Sequence, residues 1–178
     1  MKALVPLAEG FEELEAVTII DVLRRAGVEV TVAALGASPV TGAHAIRVEA
    51  DASLEVVQAD VFDAVVLPGG PAADRLRDDE RVKAVVRRLA RDGRLVAAVC
   101  AAPIVLEAAG VLAGKRATVY PGYQLPSAQQ VEERVVVDGS IITSRGPGAA
   151  LEFALALVEK LMGHAKAAEL ARAMLAAD

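Results

Sequence analysis

A chain of 178 residues with 54% hydrophobic side chains can bury one sizeable core, and with 3% aromatics and no Trp that core must be built from Val, Leu, Ile and Ala. A net charge of −5 excludes a general nucleic-acid binder, which carries a basic stripe, and no apolar run approaches the ~20 residues of a membrane span. The apolar run after Lys2 is too short for a secretory signal and acids follow at once, so a cytoplasmic protein is the default.

In chain order the first strand candidate is "KALVPL" (2–7), followed by a helical pattern over 12–26. At 100° per residue, Ile19, Val22, Leu23 and Ala26 share one face of that helix, with Glu15 near its middle. A carboxylate on a core-facing stripe is costly unless it finds a partner or keeps its proton. Two readings stand: an acid at the helix edge that escapes to water, or a proton carrier aimed at the strand edge. Glu13 points elsewhere, toward solvent. Leu14 and Val17 fall on a different side and form a second apolar patch, which suggests a subunit contact.

"VEVTVAAL" (28–35) is the second strand. A small hairpin outside the sheet is expected from about Pro39 to Ala50. "DAVVLP" (63–68) breaks at Gly69-Gly70, a helix spans 80–91, and "RLVAAV" (94–99) runs into Cys100, Ala101, Ala102 and Pro103 before a helix at 102–109. "ATVY" (117–120) reads as a short strand. "RVVVD" (134–138) and "SIITS" (140–144) form a hairpin around Asp138-Gly139, a strong two-residue turn signal. Helices at 149–162 and 165–176 close the chain. No linker or repeat divides it, so the expectation is one α/β domain over 1–178 with a mainly parallel sheet and helices on both faces.

In a parallel sheet the strand C-termini share one edge, beyond which ligands bind. Gly69, Gly70, Cys100 and residues 144–148 therefore converge on that edge. Cys100 is the only cysteine. It makes no intramolecular disulfide, and no Cys/His cluster has zinc-site spacing, so no metal and no cofactor are expected. A strand turning directly into a helix leaves one side chain at the apex and needs small residues two positions either side; here these are Ala98 and Ala102. The following helix directs free N–H groups toward the sulfur, which favours thiolate, and Pro103 fits its first turn. The other reading of Cys100 is an inert, buried thiol.

These stretches together resemble the DJ-1/ThiJ/PfpI superfamily and, within it, the DJ-1 branch: "ALVPLAEGFEELEAV", "DVLRRAGVEVTVA", "DAVVLPGG", "AAVCAAP" and "TSRGPGAALEFALALVE" occur in order from Ala3 to about Gly163. The resemblance implies a flavodoxin-like sandwich with a nucleophile elbow, a homodimer through helix 12–26, Cys100 as reactive cysteine and Glu15 as its protonated partner. Gly69 and Gly70 would supply N–H groups beside the sulfur, with Ala101 adding another as an oxyanion donor. Members with glyoxalase or deglycase activity carry a His where this chain has Tyr120. The protease-like branch places His directly after Cys, where Ala101 stands, which disfavours a peptidase. An amidotransferase-like triad lacks its His too. His44 stands where relatives carry an Arg near the site, and is either a solvated loop residue or an approach to the cysteine. His164 is a surface or helix-end residue. Arg25 and Arg145 are surface ion-pair residues or site organisers.

Two functions follow. One is cofactor-independent chemistry on a small 2-oxoaldehyde through a hemithioacetal at Cys100, of glyoxalase or deglycase type. The alternative is a redox-sensing or stress-protective protein whose cysteine is oxidised to sulfinic acid with little turnover.

Overall fold

A computed structural model describes residues 1–176. Its elements in chain order are β1 (Lys2–Leu7), α1 (Glu13–Arg25), β2 (Glu29–Ala34), β3 (Val40–Thr41), β4 (Arg47–Val48) and β5 (Ala52–Ser53). Then come β6 (Ala64–Leu67), α2 (Ala72–Asp78), α3 (Glu80–Arg91), β7 (Leu95–Val99), α4 (Pro103–Ala108), β8 (Arg116–Ala117) and β9 (Gln129–Gln130). β10 (Val135–Asp138), β11 (Ile141–Ser144), α5 (Ala150–Met162) and α6 (His164–Ala173) complete the chain, with short 3-10 turns between.

The main sheet has seven strands in the order β10-β11-β7-β6-β1-β2-β5. All neighbours run parallel except the β10–β11 hairpin, where Asp138 faces Ile141 across a Gly139 held at φ 63°. Strand order reverses at β1: β2 lies to one side of it and β6 to the other. That switch point opens a crevice at the strand C-termini, and the turns after β1, β6 and β7 meet there. The strands are near-continuous apolar runs because both faces are covered; every residue of β6 and β7 is buried. α1 packs on α5, and α5 on α6, while α2, α3 and α4 pack on one another.

The core-facing stripe of α1 is the one its periodicity predicts: Ile19, Val22 and Leu23 are buried, each contributing about 1.5–3 kcal/mol. The core is mainly aliphatic, although its two largest fully buried side chains are Phe11 and Phe153. The 39–50 hairpin is β3–β4, paired Val40 to Val48 outside the main sheet. The stretch 117–120 is corrected: the strand ends at Ala117. The Thr118 N–H donates instead to the Thr143 hydroxyl, and the Tyr120 N–H turns to the Cys100 carbonyl. α2 has no counterpart in the sequence reading; seven residues rich in Asp and Arg carry too little periodicity to announce it. No helix among the described residues is long and apolar enough to cross a membrane.

Candidate active site

β7 hands the chain to α4 through Cys100, which sits at φ 61° in the left-handed region. For a residue with a Cβ this conformation costs about 1–2 kcal/mol. Two hydrogen bonds hold it there: the Cys100 N–H donates to Ser144 O at 2.9 Å, and the Tyr120 N–H donates to Cys100 O at 2.8 Å. Ala98 and Ala102 flank the apex, both fully buried. Pro103 opens α4 at its first turn, where no N–H is needed. Cys100 is 8% exposed and counts among the buried residues.

Glu15, in the first turn of α1, has no exposed surface. The Gly69 N–H, expected beside the sulfur, is corrected: it donates to Glu15 Oε2 at 2.8 Å. Its Oε1 has no partner among conventional donors, and its side chain interacts with that of Cys100. Gly69 is the shared wall: a Cβ there would stand 2.6 Å from Cys100 Cβ and 2.9 Å from Glu15 Oε2. Gly70 is fixed twice over. It sits at φ 81°, and a Cβ would meet Gly10 O at 2.6 Å. The main-chain N–H groups of Gly70 and Ala101 lie close enough to the sulfur to favour its anion.

Burial raises the Glu15 carboxyl to about 7, aided by the charge of Glu12 and opposed by the Gly69 N–H and by Cys100. The expectation that the helix end lowers the thiol does not hold. Burial, and then the negative charge of Glu15, push Cys100 up to about 12 against the pull of the Gly70 and Ala101 N–H groups. The charge contribution requires an ionised Glu15. When the carboxyl keeps its proton that repulsion vanishes and its O–H can donate to a thiolate. Cys100 and Glu15 therefore titrate as one pair, with a proton to share.

Glu13, two residues away, is not solvated as its helical projection suggests. It is 4% exposed. The His44 N–H donates to its Oε1 at 2.6 Å, the His44 ring Nδ1 lies 2.8 Å from its Oε2, and the Ile46 N–H reaches Oε1 at 3.4 Å. Room exists because residue 42 is glycine: a Cβ there would stand 2.3 Å from Glu13 Oε1. The projection failed because the β3–β4 hairpin folds over that face of the helix, and Gly42 was the only sign of it. His44 is thus a tether between hairpin and α1, its ring exposed. Glu12, Glu13 and His44 are the one set of three metal-capable side chains, among the described residues, whose ligand atoms lie within 4.8 Å of one another. Glu13 and His44 are hydrogen-bonded to each other, and Glu12 Oε2 stands 3.6 Å from the His44 ring.

Tyr120 is half exposed, its main chain bonded to Cys100 and its ring against Gly146. Arg145 lies on the same side, next to Ser144, and donates to Glu132 O at 2.9 Å. Arg25 is not brought to the site; it ends α1 in an exposed pair with Asp21, one turn earlier, as i,i+4 spacing favours. His164 pairs with Glu159 on the surface.

A model of the DJ-1/PfpI family matches residues 1–160. The chain belongs to the DJ-1/PfpI family. It is 44% identical over 177 residues to Protein DJ-1 homolog B of Arabidopsis thaliana, covering 97% of this chain and 40% of that one. The chain spans less than half the length of the two Arabidopsis relatives it matches. A protein of Pyrococcus abyssi named a deglycase is 38% identical over 152 residues, covering 83% of this chain and 92% of that one. Among solved structures, Drosophila melanogaster DJ-1beta superposes with a TM-score of 0.95 at 44% identity, covering 99% of this chain and 98% of that one. The mostly parallel sheet with helices around it is the flavodoxin-like fold of these DJ-1 neighbours.

Proposed function

We propose that this DJ-1/PfpI protein acts on small 2-oxoaldehydes without a cofactor, with Cys100 as nucleophile and Glu15 as its proton carrier. The observation that carries this reading is the pairing of an elbow thiol with a fully buried carboxyl that has one oxygen left over. The name of the Pyrococcus relative supports it by kinship.

The chemistry is redox-neutral overall. The thiolate adds to the aldehyde carbon; an S–C bond forms and the carbonyl electrons move to oxygen, which takes a proton. N–H groups at Gly70 and Ala101 stabilise the oxyanion as it develops. Through an enediol, Glu15 then moves the proton on that carbon to the neighbouring carbon, while the hydroxyl proton passes from the first oxygen to the neighbouring one. The resulting thioester takes up water, which frees the thiol and a 2-hydroxy acid. With methylglyoxal the sum is one aldehyde plus one water giving lactate. Turnover of methylglyoxal to lactate by the purified protein, abolished in Cys100→Ser, is the expected result; equal lactate formation by the variant would overturn it.

One observation favours the second reading. The side chain at 120 is a half-exposed tyrosine, a poor base at neutral pH. If methylglyoxal turnover is negligible while hydrogen peroxide converts Cys100 selectively to sulfinic acid, the sensing role replaces the enzymatic one.

We also place a homodimer contact on α1. Leu14 and Val17 are 54% and 48% exposed, and Ile46 on the adjoining hairpin is 55% exposed. The Ile46 N–H reaches the Glu13 carboxylate, one residue before Leu14. Val17→Glu should convert a dimer to a monomer in sedimentation; an unchanged mass removes α1 from the contact.

A further inference from the structure

Beside the elbow lies a recess of about 260 Å³, lined by Tyr120, Pro121, Arg134, Arg145 and residues 146–149. Both charged groups in that lining are arginines, and no carboxylate joins them. Main-chain carbonyls orient each guanidinium: Arg134 Nη2 donates to Gly148 O at 2.8 Å, and Arg145 Nη1 to Glu132 O at 2.9 Å. Their acidic partners stand outside the lining. Arg134 pairs with Glu152 at 2.8 Å and Arg145 with Glu132 at 3.4 Å; both acids are exposed, Glu132 at 88%, and such pairs are weak and salt-screened. A guanidinium has five N–H donors, so each arginine keeps donors for an anion.

The recess adjoins the main chain of the elbow. Its wall residue Tyr120 donates to Cys100 O, and Ser144, next to Arg145, accepts the Cys100 N–H. Gly146 keeps the Tyr120 ring in the wall, since a Cβ there would stand 3.3 Å from Tyr120 Cδ2.

We infer that this recess is a carboxylate subsite beside Cys100, built by Arg134 and Arg145. It favours aldehydes that carry a carboxylate within a few atoms of the carbonyl over neutral ones such as methylglyoxal. The substrate class rests on the aldehyde reading above; the subsite itself does not.

Alkylation of Cys100 with iodoacetate and with iodoacetamide tests it. Both reagents deliver the same carbon to the same thiolate, so their rate ratio cancels any change in thiol ionisation. N-acetylcysteine sets the reference ratio. A single added positive charge a few ångströms away in water is worth about 5-fold. The wild-type iodoacetate:iodoacetamide ratio should exceed the reference by about 5-fold at low salt and fall toward it at 1 M salt. R134Q and R145Q should each lower it about 3-fold, while R145K keeps at least half of it. A wild-type ratio at or below the reference, as the charges of Glu12 and Glu15 alone would produce, overturns the subsite. So does an equal loss in R145K and R145Q, which assigns the effect to loop folding. A raised ratio without aldehyde turnover leaves the subsite standing and removes the aldehyde reading; turnover with an unraised ratio does the reverse.

Discussion

Glu13 and Glu15 lie two residues apart on one helix, and both are buried. The protein treats them in opposite ways. Glu13 receives two main-chain N–H groups and a histidine ring, so both its oxygens are satisfied. Burial pushes its carboxyl upward, but the bonds from His44, with other main-chain N–H groups, overcome that and hold it below the ordinary carboxylate value. Glu15 receives one N–H, has an oxygen left over, and is raised to about 7. A saturated carboxylate anchors structure. An under-satisfied one beside a thiol is a store of protonic chemistry, because little binds it in either charge state.

The widest separation between the two should appear in turnover. Glu15→Gln keeps the shape and removes the transferable proton; a positioned acid–base is worth ~10²–10⁴ in rate, and that loss is expected in kcat/KM for methylglyoxal. Glu13→Gln should stay within about 10-fold of wild type, since its side chain touches the hairpin and not the thiol. Equal losses in the two variants would mean that the helix end acts as a unit and that Glu15 has no separate role.

The guarding glycines extend the contrast to packing. Gly69→Ala would set a methyl against Cys100 Cβ and Val99 O, a side-chain root and a main-chain atom that cannot swing aside. Overpacking of this kind costs about 3 kcal/mol, and the Cys100–Glu15 interaction should break with it. The nearest atoms that Gly42→Ala meets belong to the Glu13 side chain, which can leave its pocket for solvent. Its cost is that of stranding the His44 and Ile46 N–H groups beside the displaced hairpin, about 1–2 kcal/mol. Urea unfolding of the two variants measures the order. A Gly42→Ala loss as large as that of Gly69→Ala would show that Glu13 is as confined as the Cys100–Glu15 pair.

Most of this architecture was legible because its signals are local. Alternating apolar runs and helical stripes gave β1, α1, β6, α3 and β7 within a residue or two, and Asp138-Gly139 gave its hairpin. Cys100 and Glu15 were legible for a related reason: each breaks a local rule, one as a polarisable atom at a strand end, the other as an acid on an apolar face. What could not be read depended on long-range partners. Glu13 looks solvent-facing until the hairpin thirty residues on folds over it. The upward push on the thiol comes from burial and from Glu15, which sequence places only by topology, whereas the helix end that should lower it is visible locally. The surface pairing of Arg25 follows from Asp21 at i−4, and agrees with the ion-pair reading of that residue in the sequence.

The finest test of the contrast is the pH dependence of stability, where the two acids slope in opposite directions. Folding holds the Glu15 carboxyl at about 7, above its ordinary 4.5, so it favours the protonated form. Its contribution is complete below pH 4.5 and is lost as pH rises through about 7. Between pH 5 and 6.5 that amounts to a fall of about 2 kcal/mol. Glu13 is held below 4.5, so its contribution is complete above pH 4.5 and is lost as pH falls through its lowered value. His44, raised above 6.5 by its bond to Glu13, contributes below pH 6.5 and fades above its raised value, outside the Glu15 window. Urea midpoints from pH 3 to 6.5 separate these slopes. Glu15→Gln should flatten the fall between pH 5 and 6.5 and leave the acid limb intact. Glu13→Gln should keep that fall and flatten the acid limb. A Glu15→Gln variant that still loses stability between pH 5 and 6.5 would mean that Glu15 is already ionised in the folded protein. It would then meet the thiol as a fixed negative charge, with no proton to give it.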